Sequence, residues 1–161
     1  SINKQLATYV ANEFADVAVE ILDLNAYEMP IFSVDKQKEN GIPELAHDFY
    51  EKLGSADLIV ISFAEHNGAY SSAFKNILDW TSRISANTFQ GKPMLLLATS
   101  PGPSGGSTVL EIAKNRFPFQ GGIVLNSFSL PNFNTNFAAE TGILNGALKN
   151  ELNEIIQTLV F

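Results

Sequence analysis

Two short apolar runs constrain the fold of this chain more than any other feature. Residues 57–63 read Asp-Leu-Ile-Val-Ile-Ser-Phe, and residues 94–99 read Met-Leu-Leu-Leu-Ala-Thr. A strand that is apolar on both of its faces has to be covered on both faces, as the strands of parallel α/β sheets are. Each run therefore predicts a buried parallel strand.

The rest of the chain predicts alternating helices and strands. Residues 17–24 and 123–130 are short and apolar, which indicates two further strands. Apolar residues at helical spacing predict helices over 4–14, 43–53, 71–84, from about 107 (with Ser107 as its cap) and over 144–159. Strands that alternate with helices form parallel units with right-handed crossovers, so helices cover both faces of the sheet. The predicted fold class is a doubly wound α/β sandwich, in one domain over residues 1–161.

The front of the chain departs from the usual order of such a fold. The chain begins with a helix, and it offers four strands where doubly wound domains of this size usually have five. We therefore expect a further strand before residue 1.

Composition excludes several classes of site. The formal net charge of −7 repels nucleic acid, and the chain has no cysteine and only two histidines. Disulfides, thiolate nucleophiles and cysteine-bound metals are thereby excluded, and no metal site is expected. No apolar run reaches the roughly 20 residues of a membrane span, and no secretory signal is visible. We expect a cytoplasmic protein without a membrane or nucleic-acid partner.

Candidate binding loops follow the carboxyl ends of strands, where ligands bind in open parallel sheets. Residues 64–70 read Ala-Glu-His-Asn-Gly-Ala-Tyr, and their position favours a binding loop over a plain surface turn. Residues 99–106 contain three glycines whose N–H groups can hold an anion or a heterocycle edge, but they match neither a P-loop nor GxGxxG. Ser1-Ile2-Asn3 and residues 132–137 are weaker candidates, because a helix cap and an ordered loop explain them better than binding does.

No side chain is identified as catalytic. A G-x-S-x-G elbow and a supported histidine are both missing, and Glu65 is the only acid in the candidate loops. Any redox chemistry would therefore belong to a bound cofactor. Trp80 lies off the apolar stripe of its predicted helix, so it either anchors a partner subunit or rims its own core.

Several motifs occur together in this chain. Ser-x-Asn stands at residues 1–3, and Glu-x-Asn-Gly at 65–68 precedes Phe-Lys-Asn-Ile-Leu-Asp-Trp at 74–80. Gly-Lys-Pro stands at 91–93, and Thr-Ser-Pro-Gly at 99–102 leads into a Gly-Gly pair at 105–106. Together, and over nearly the whole chain, they resemble the NADPH-dependent FMN reductases of the flavodoxin-like superfamily.

The resemblance implies bound FMN and a flavodoxin-like strand order of 2-1-3-4-5, whose central first strand would be the one expected before residue 1. Ser1 and Asn3 match the end of the family's phosphate loop, Gly-Ser-x-Arg-x-x-Ser-x-Asn. Two loops would flank the flavin ring, and their residues are Glu65, His66, Asn67 and Gly68 on one side and Ser100, Gly102, Ser104, Gly105 and Gly106 on the other.

One of these loops departs from the family pattern. The family reads Pro-Glu-Tyr-Asn-Gly, and here Ala64 and His66 replace the proline and the tyrosine. An imidazole at the flavin can titrate near neutrality, so substrate preference or pH dependence would differ.

The implied function is hydride transfer from NADPH or NADH to FMN and onward transfer of electrons to a quinone, an azo compound, a free flavin or an oxyanion. The resemblance also implies a homodimer or homotetramer with Trp80 at the interface. One alternative is a flavodoxin-type electron carrier, which the acidic charge suits but the Glu-x-Asn-Gly loop does not. The other is an interaction scaffold that binds no flavin.

Overall fold

The structure is a computed structural model that describes residues 1–161 and contains seven α-helices and seven strands. None of the helices has both the length and the apolar character that crossing a membrane requires. In chain order the elements are α1 (Ile2–Asn12), α2 (Val34–Asn40), α3 (Glu44–Ser55), β1 (Ile59–Phe63), β2 (Glu65–His66), β3 (Ala69–Tyr70), α4 (Ser72–Ser82), β4 (Pro93–Thr99), α5 (Ser107–Arg116), β5 (Ile123–Leu130), α6 (Phe133–Asn136), β6 (Phe137–Ala138), β7 (Gly142–Ile143) and α7 (Gly146–Thr158).

Three of the strands form a parallel sheet in the order β1-β4-β5. The β1–β4 pairing runs from Ile59 opposite Met94 to Phe63 opposite Ala98. The β4–β5 pairing extends to Thr99 opposite Leu130, with one register shift after Met94. Both apolar runs and the last predicted strand are therefore confirmed as parallel strands.

The side chains of β4 alternate between two hydrophobic cores. Met94, Leu96 and Ala98 face the core that is covered by α3, α4 and α5. Leu95 and Leu97 face the opposite core, which α1 and α7 cover. This alternation is the period of two that a strand imposes. Helices on both faces of a parallel sheet confirm the predicted three-layer α/β/α sandwich.

Side chains at the predicted positions cap several of the helices. Ser1 caps α1, Ser71 caps α4 by accepting from the N–H of Phe74, and Asn145 caps α7. The prediction that Ser107 caps α5 is wrong. Ser107 is the first helical residue, and the cap position belongs to Gly106, which has a φ of 73° and no side chain to offer.

The predicted strand over residues 17–24 is also wrong. Residues 17–23 are outside any strand, and a 3₁₀ turn begins at Leu24. Residues 17–22 make no backbone–backbone hydrogen bond, and Val17, Val19 and Ile21 are exposed. A strand exists only beside a partner, and in the order 2-1-3-4-5 this segment would pair with the first strand alone. The first strand expected before residue 1 stays a prediction.

Some elements had no signal in the sequence. Helix α2 lies in a stretch predicted to be a polar loop, because none of its residues is buried and it shows no apolar stripe. Ser33 caps it, and Gly41 follows it with a φ of 75°. The two-residue hairpins β2–β3 and β6–β7 were not predicted either.

Trp80 belongs to the core of its own chain. It is only 1% exposed, its indole N–H donates to the carbonyl of Pro30 at 2.6 Å, and Phe32 packs edge-on against it. Asn76, one turn earlier, donates to the carbonyls of Met29 and Pro30 and accepts from the N–H of Phe32. The prediction of Trp80 as an interface anchor is therefore wrong, because both side chains tie residues 29–32 to α4.

We expect the Leu96→Ala substitution to lower the free energy of unfolding by about 3 kcal/mol, because it opens a cavity beside a side chain with no exposed surface. Leu144, which is 54% exposed, provides the control, and Leu144→Ala should change stability by less than about 0.5 kcal/mol. Chemical denaturation followed by circular dichroism measures both. Equal losses in the two variants would contradict the packing of β4.

Candidate functional site

The candidate loops meet at one edge of the sheet. Strands β1, β4 and β5 are parallel, so their carboxyl ends at Phe63, Thr99 and Leu130 lie along the same edge. The hairpin of residues 65–70, the glycine-rich loop of residues 100–106 and the N-terminus of α1 all adjoin these ends. The sequence prediction of a binding edge at this place agrees with the chain topology.

Asn3 ties α1 to two of these strand ends. Its side chain is 6% exposed, and its Oδ1 accepts from the N–H of Thr99 at 3.1 Å and from the hydroxyl of Ser62 at 2.7 Å. Its Nδ2 donates to the carbonyl of Thr99 at 3.3 Å. The oxygen of the side-chain amide and one of its two N–H groups are therefore used within the protein, and the unpaired donors of Asn3 are its backbone N–H and the second N–H of Nδ2.

The N-terminus of α1 has free donors. The hydroxyl of Ser1 accepts from the N–H of Lys4, whereas the N–H groups of Ile2 and Asn3 have no partner in the chain. Such groups carry the positive end of the helix dipole. Lys4 itself is paired with Asp23 at 2.8 Å, and this hydrogen bond lowers the pKa of the Asp23 carboxyl.

The first of the two candidate loops, residues 64–70, contains the hairpin β2–β3. Asn67 and Gly68 form its two-residue turn with φ values of 53° and 73°, the positive values that a type I′ turn requires. His66 and Asn67 are exposed, and a Cβ on Gly68 would meet nothing within 4 Å. Asn67 and Gly68 therefore do supply turn geometry, and the turn projects freely from the strand ends.

Glu65 connects this hairpin to α5. Its Oε1 accepts from the N–H of Val109, in the first turn of α5, at 2.7 Å. The structure thus brings Glu65 and the glycine-rich loop together through the start of that helix.

The glycine-rich loop packs closely on the sheet. Gly105 and Gly106 are buried, with φ values of 59° and 73°. A Cβ on Gly105 would lie 2.9 Å from the backbone N of Pro131, and one on Gly106 would lie 2.8 Å from the Cβ of Ala98. Both glycines are therefore required for close approach to the sheet. Gly102 differs, because a Cβ there would meet nothing within 4 Å.

The same loop is fastened to the end of β5. The hydroxyl of Ser129 donates to the carbonyl of Gly105, and the N–H of Asn132 donates to the carbonyl of Gly102. The hydroxyl of Ser100 turns inward to the Gly102 carbonyl at 3.3 Å, whereas Ser104 is exposed. Most polar groups of this loop therefore hold its shape, and its free surface lies around Gly102 and Ser104.

Tyr70 ends the hairpin inside an aromatic cluster with Phe63, Phe74 and Phe117. Its hydroxyl is buried without a hydrogen-bond partner. Burial raises the pKa of Tyr70 to about 12, although the charge of Arg116 opposes the shift.

The residues at this edge fit a phosphorylated, planar cofactor. Free N–H groups stand at α1, and two loops with open surface at Gly68 and Gly102 adjoin the same strand ends. A groove of about 470 Å³ lies away from this edge beside α3, and a second concavity of about 410 Å³ lies between α1 and residues 137–139, with Ser1 and Lys4 in its lining. Sequence reasoning missed the supporting residues Ser62, Val109 and Ser129, of which only Ser62 gave a signal, as a polar residue inside an apolar run.

Comparison with known proteins decides the family. Residues 1–135 match the family described as NADPH-dependent FMN reductase. The chain belongs to this family. The predicted fold class, the NAD(P)H-dependent flavin oxidoreductase activity and the cofactors FMN and NAD(P)H are confirmed by this membership.

Individual relatives agree with the family assignment. A quinone reductase of Escherichia coli (strain K12) is 28% identical to this reductase over 132 residues, which cover 73% of this chain and 70% of the relative. A 2-hydroxy-1,4-benzoquinone reductase of a Burkholderia species is 33% identical over 107 residues, covering 65% and 56%. The flavoenzyme NAD(P)H:(acceptor) oxidoreductase FerB of Paracoccus denitrificans shares the fold, with a TM-score of 0.72 at 22% identity over 98% of this chain and 88% of FerB.

We expect Asn3→Ala to lower the free energy of unfolding of the reductase by about 2–3 kcal/mol, because it leaves the N–H and carbonyl of Thr99 and the hydroxyl of Ser62 without their partner. Asn12→Ala, at an exposed position of the same helix, is the control and should cost less than about 0.5 kcal/mol. Urea denaturation of both variants measures the difference. A loss in Asn3→Ala no larger than in the control would show that the amide is not a structural clamp.

A second expected outcome concerns alkaline pH. The unfolded chain exposes Tyr70, whose phenol then titrates near its ordinary pKa of about 10. Because the folded pKa is about 12, the unfolded state loses this proton first, and the contribution of Tyr70 to stability falls as pH rises between about 10 and 12. Tyr70→Phe should flatten this fall without weakening the protein at pH 7, since the hydroxyl has no partner. If the stability of the wild type and of Tyr70→Phe falls in parallel as pH rises, the pKa of Tyr70 is not raised in the folded protein.

Proposed function

We propose that this reductase passes the electrons of NADPH or NADH to a quinone through FMN bound at the carboxyl edge of the sheet. The observation that carries the site assignment is the meeting there of free helix N–H groups and two loops with open surface. The names of the two relatives given above support a quinone as the acceptor. Azo compounds, free flavins and oxyanions are the other acceptors that the family resemblance implies.

The phosphate of FMN would be held at the start of α1. The hydroxyl of Ser1 and the N–H groups of Ile2 and Asn3 are available there. Backbone N–H groups at a helix N-terminus are suited to phosphate, because they are preoriented and carry the positive end of the dipole. In this proposal Asn3 acts through its backbone, while its side chain keeps α1 in place.

The flavin ring would lie between the two loops. His66, Asn67 and Gly68 of the hairpin would flank it on one side, and Ser100, Gly102 and Ser104 would bracket it on the other. When bound, FMN supplies the chemistry, since it takes up a hydride and gives up electrons one or two at a time. Gly105 and Gly106 would hold the loop close against the sheet, on the side away from the ring.

The residues of this chain would position the reactants and exclude water. No pair of side chains at this edge has the geometry of a general acid and base, so proton-transfer residues are not part of the proposal. Both substrates would use the same site in turn, which predicts ping-pong kinetics.

Three further predictions remain proposals. Residues 1–161 would form one FMN-binding domain, the protein would act as a homodimer or homotetramer, and it would be cytoplasmic. With Trp80 buried, the helix α4 would have to contribute other residues to a dimer interface.

Anaerobic mixing of the FMN-loaded protein with NADPH tests the activity. We expect the flavin absorbance to bleach without any protein partner and to return when a benzoquinone is added, with parallel lines in double-reciprocal plots of initial rates. Bound flavin that does not bleach would identify an electron carrier, and a protein that binds no FMN would indicate an interaction scaffold.

A matched pair of glycine variants tests the position of the site. A Cβ would meet nothing within 4 Å at either Gly102 or Gly146, so both positions accept a side chain in the folded protein. Only Gly102 lies in the proposed ring site. Gly102→Val should therefore weaken FMN binding by at least about tenfold, whereas Gly146→Val should leave it unchanged.

A further inference from the structure

Helix α5 begins without a cap of its own. Its cap position is Gly106, which has no side chain to accept from the first-turn N–H groups as a serine or aspartate cap would, and only the N–H of Ser107 finds a local acceptor, the carbonyl of Ser104 at 3.0 Å. The missing acceptor comes from Glu65, which lies 44 positions earlier in the chain and reaches the N–H of Val109 at 2.7 Å. A carboxylate at this place also faces the positive end of the helix dipole.

This contact is the one hydrogen bond that joins the hairpin to the glycine-rich side of the site. No backbone or side-chain hydrogen bond other than Glu65 to Val109 connects residues 64–70 with residues 99–110. The glycine-rich loop is fastened on its other side, where Ser129 and Asn132 hold it to the end of β5. Its spacing from the hairpin is therefore set by this hydrogen bond together with the packing of Tyr70 against Phe117 beyond the end of α5.

The strand alternation of β2 separates the roles of its two residues. Successive side chains of a strand point to opposite faces. Glu65 faces α5 and is half-buried, so the adjacent His66 is directed away from that helix and is exposed. His66, Asn67 and Gly68 are all exposed, so these residues, rather than Glu65, are the part of the hairpin that a ligand can reach.

We propose that Glu65 is a positioning residue for FMN: its carboxylate holds the hairpin at a fixed distance from α5, so that the gap for the flavin ring is set before the cofactor binds. This differs from the direct cofactor contact that the family resemblance suggested for Glu65. The proposal rests on the proposed function, because it assumes that the ring lies between these two loops.

The test uses three variants of Glu65 and one control. Glu65→Ala removes the acceptor, Glu65→Gln keeps an acceptor oxygen but loses the charge, and Glu65→Asp keeps the charge but withdraws it by one methylene. Glu111→Gln, at an exposed carboxylate of the same helix that pairs with Lys114, makes the same change in net charge away from the loops. Two quantities are measured, namely hydrogen exchange of the Val109 amide in the apoprotein by NMR and the dissociation constant of FMN by fluorescence quenching.

We expect Glu65→Ala and Glu65→Asp to speed exchange at Val109 and to weaken FMN binding by about tenfold each, since a hydrogen bond of this type is lost. Glu65→Gln should restore both quantities to within about threefold of the wild type, because its amide oxygen can still accept from Val109. The Glu111→Gln control should change neither. If Glu65→Ala fails to fold, Glu65→Asp carries the comparison.

Three results would overturn the proposal. Faster exchange at Val109 with unchanged FMN binding would show that the contact serves stability alone. Weaker FMN binding in Glu65→Gln with Val109 still protected would show that the carboxylate touches the cofactor directly. A wild-type protein that binds no FMN would overturn both the proposed function and this proposal. Hydrogen exchange at Val109 in the apoprotein would still show whether the Glu65–Val109 contact forms, so the two failures can be told apart.

Discussion

The complete burial of strand β4 is the constraint on which the rest of the structure depends. Residues Met94 to Thr99 have almost no exposed surface, and both edges of the strand are paired. Its side chains alternate between two cores, so each core needs its own layer of helices. The three-layer architecture is therefore a consequence of one apolar strand that has to be covered twice.

The carboxyl end of β4 is held in place by hydrogen bonds to its neighbours. At Thr99 the backbone N–H and carbonyl are both bound by Asn3 of α1, and the hydroxyl donates to the carbonyl of Leu130 at 2.6 Å. The last residue of the central strand thus joins α1, β4 and β5 at one point. Loops that leave such a point can carry ligand groups while the strand ends below them stay fixed.

The sequence predicted what depends on local pattern and missed what depends on distant partners. The apolar runs and the helical stripes identified the sheet and five helices, because burial imposes its period on the sequence. The segment 17–24 has strand composition, yet pairing requires a neighbour that no local pattern can supply. The meeting of the candidate loops at one edge could be predicted from strand direction alone, whereas the hydrogen bonds of Asn3 and Glu65 could not, since their partners lie 96 and 44 positions away.

The residues at this edge need only position a ligand, because a bound cofactor would supply the redox chemistry. The side chains of Asn3, Glu65 and Ser129 make hydrogen bonds that hold helices and loops in place, so in the proposed site backbone N–H groups and glycine surfaces would face the ligand. At the start of α1 the ammonium group of Lys4 is paired with the carboxylate of Asp23. In the proposed site the dipole of α1 would contribute to phosphate binding, because preoriented N–H groups bind an anion without adding a charged side chain. An acidic protein can thereby hold an anionic cofactor, provided that the residues behind the loops keep those N–H groups aligned.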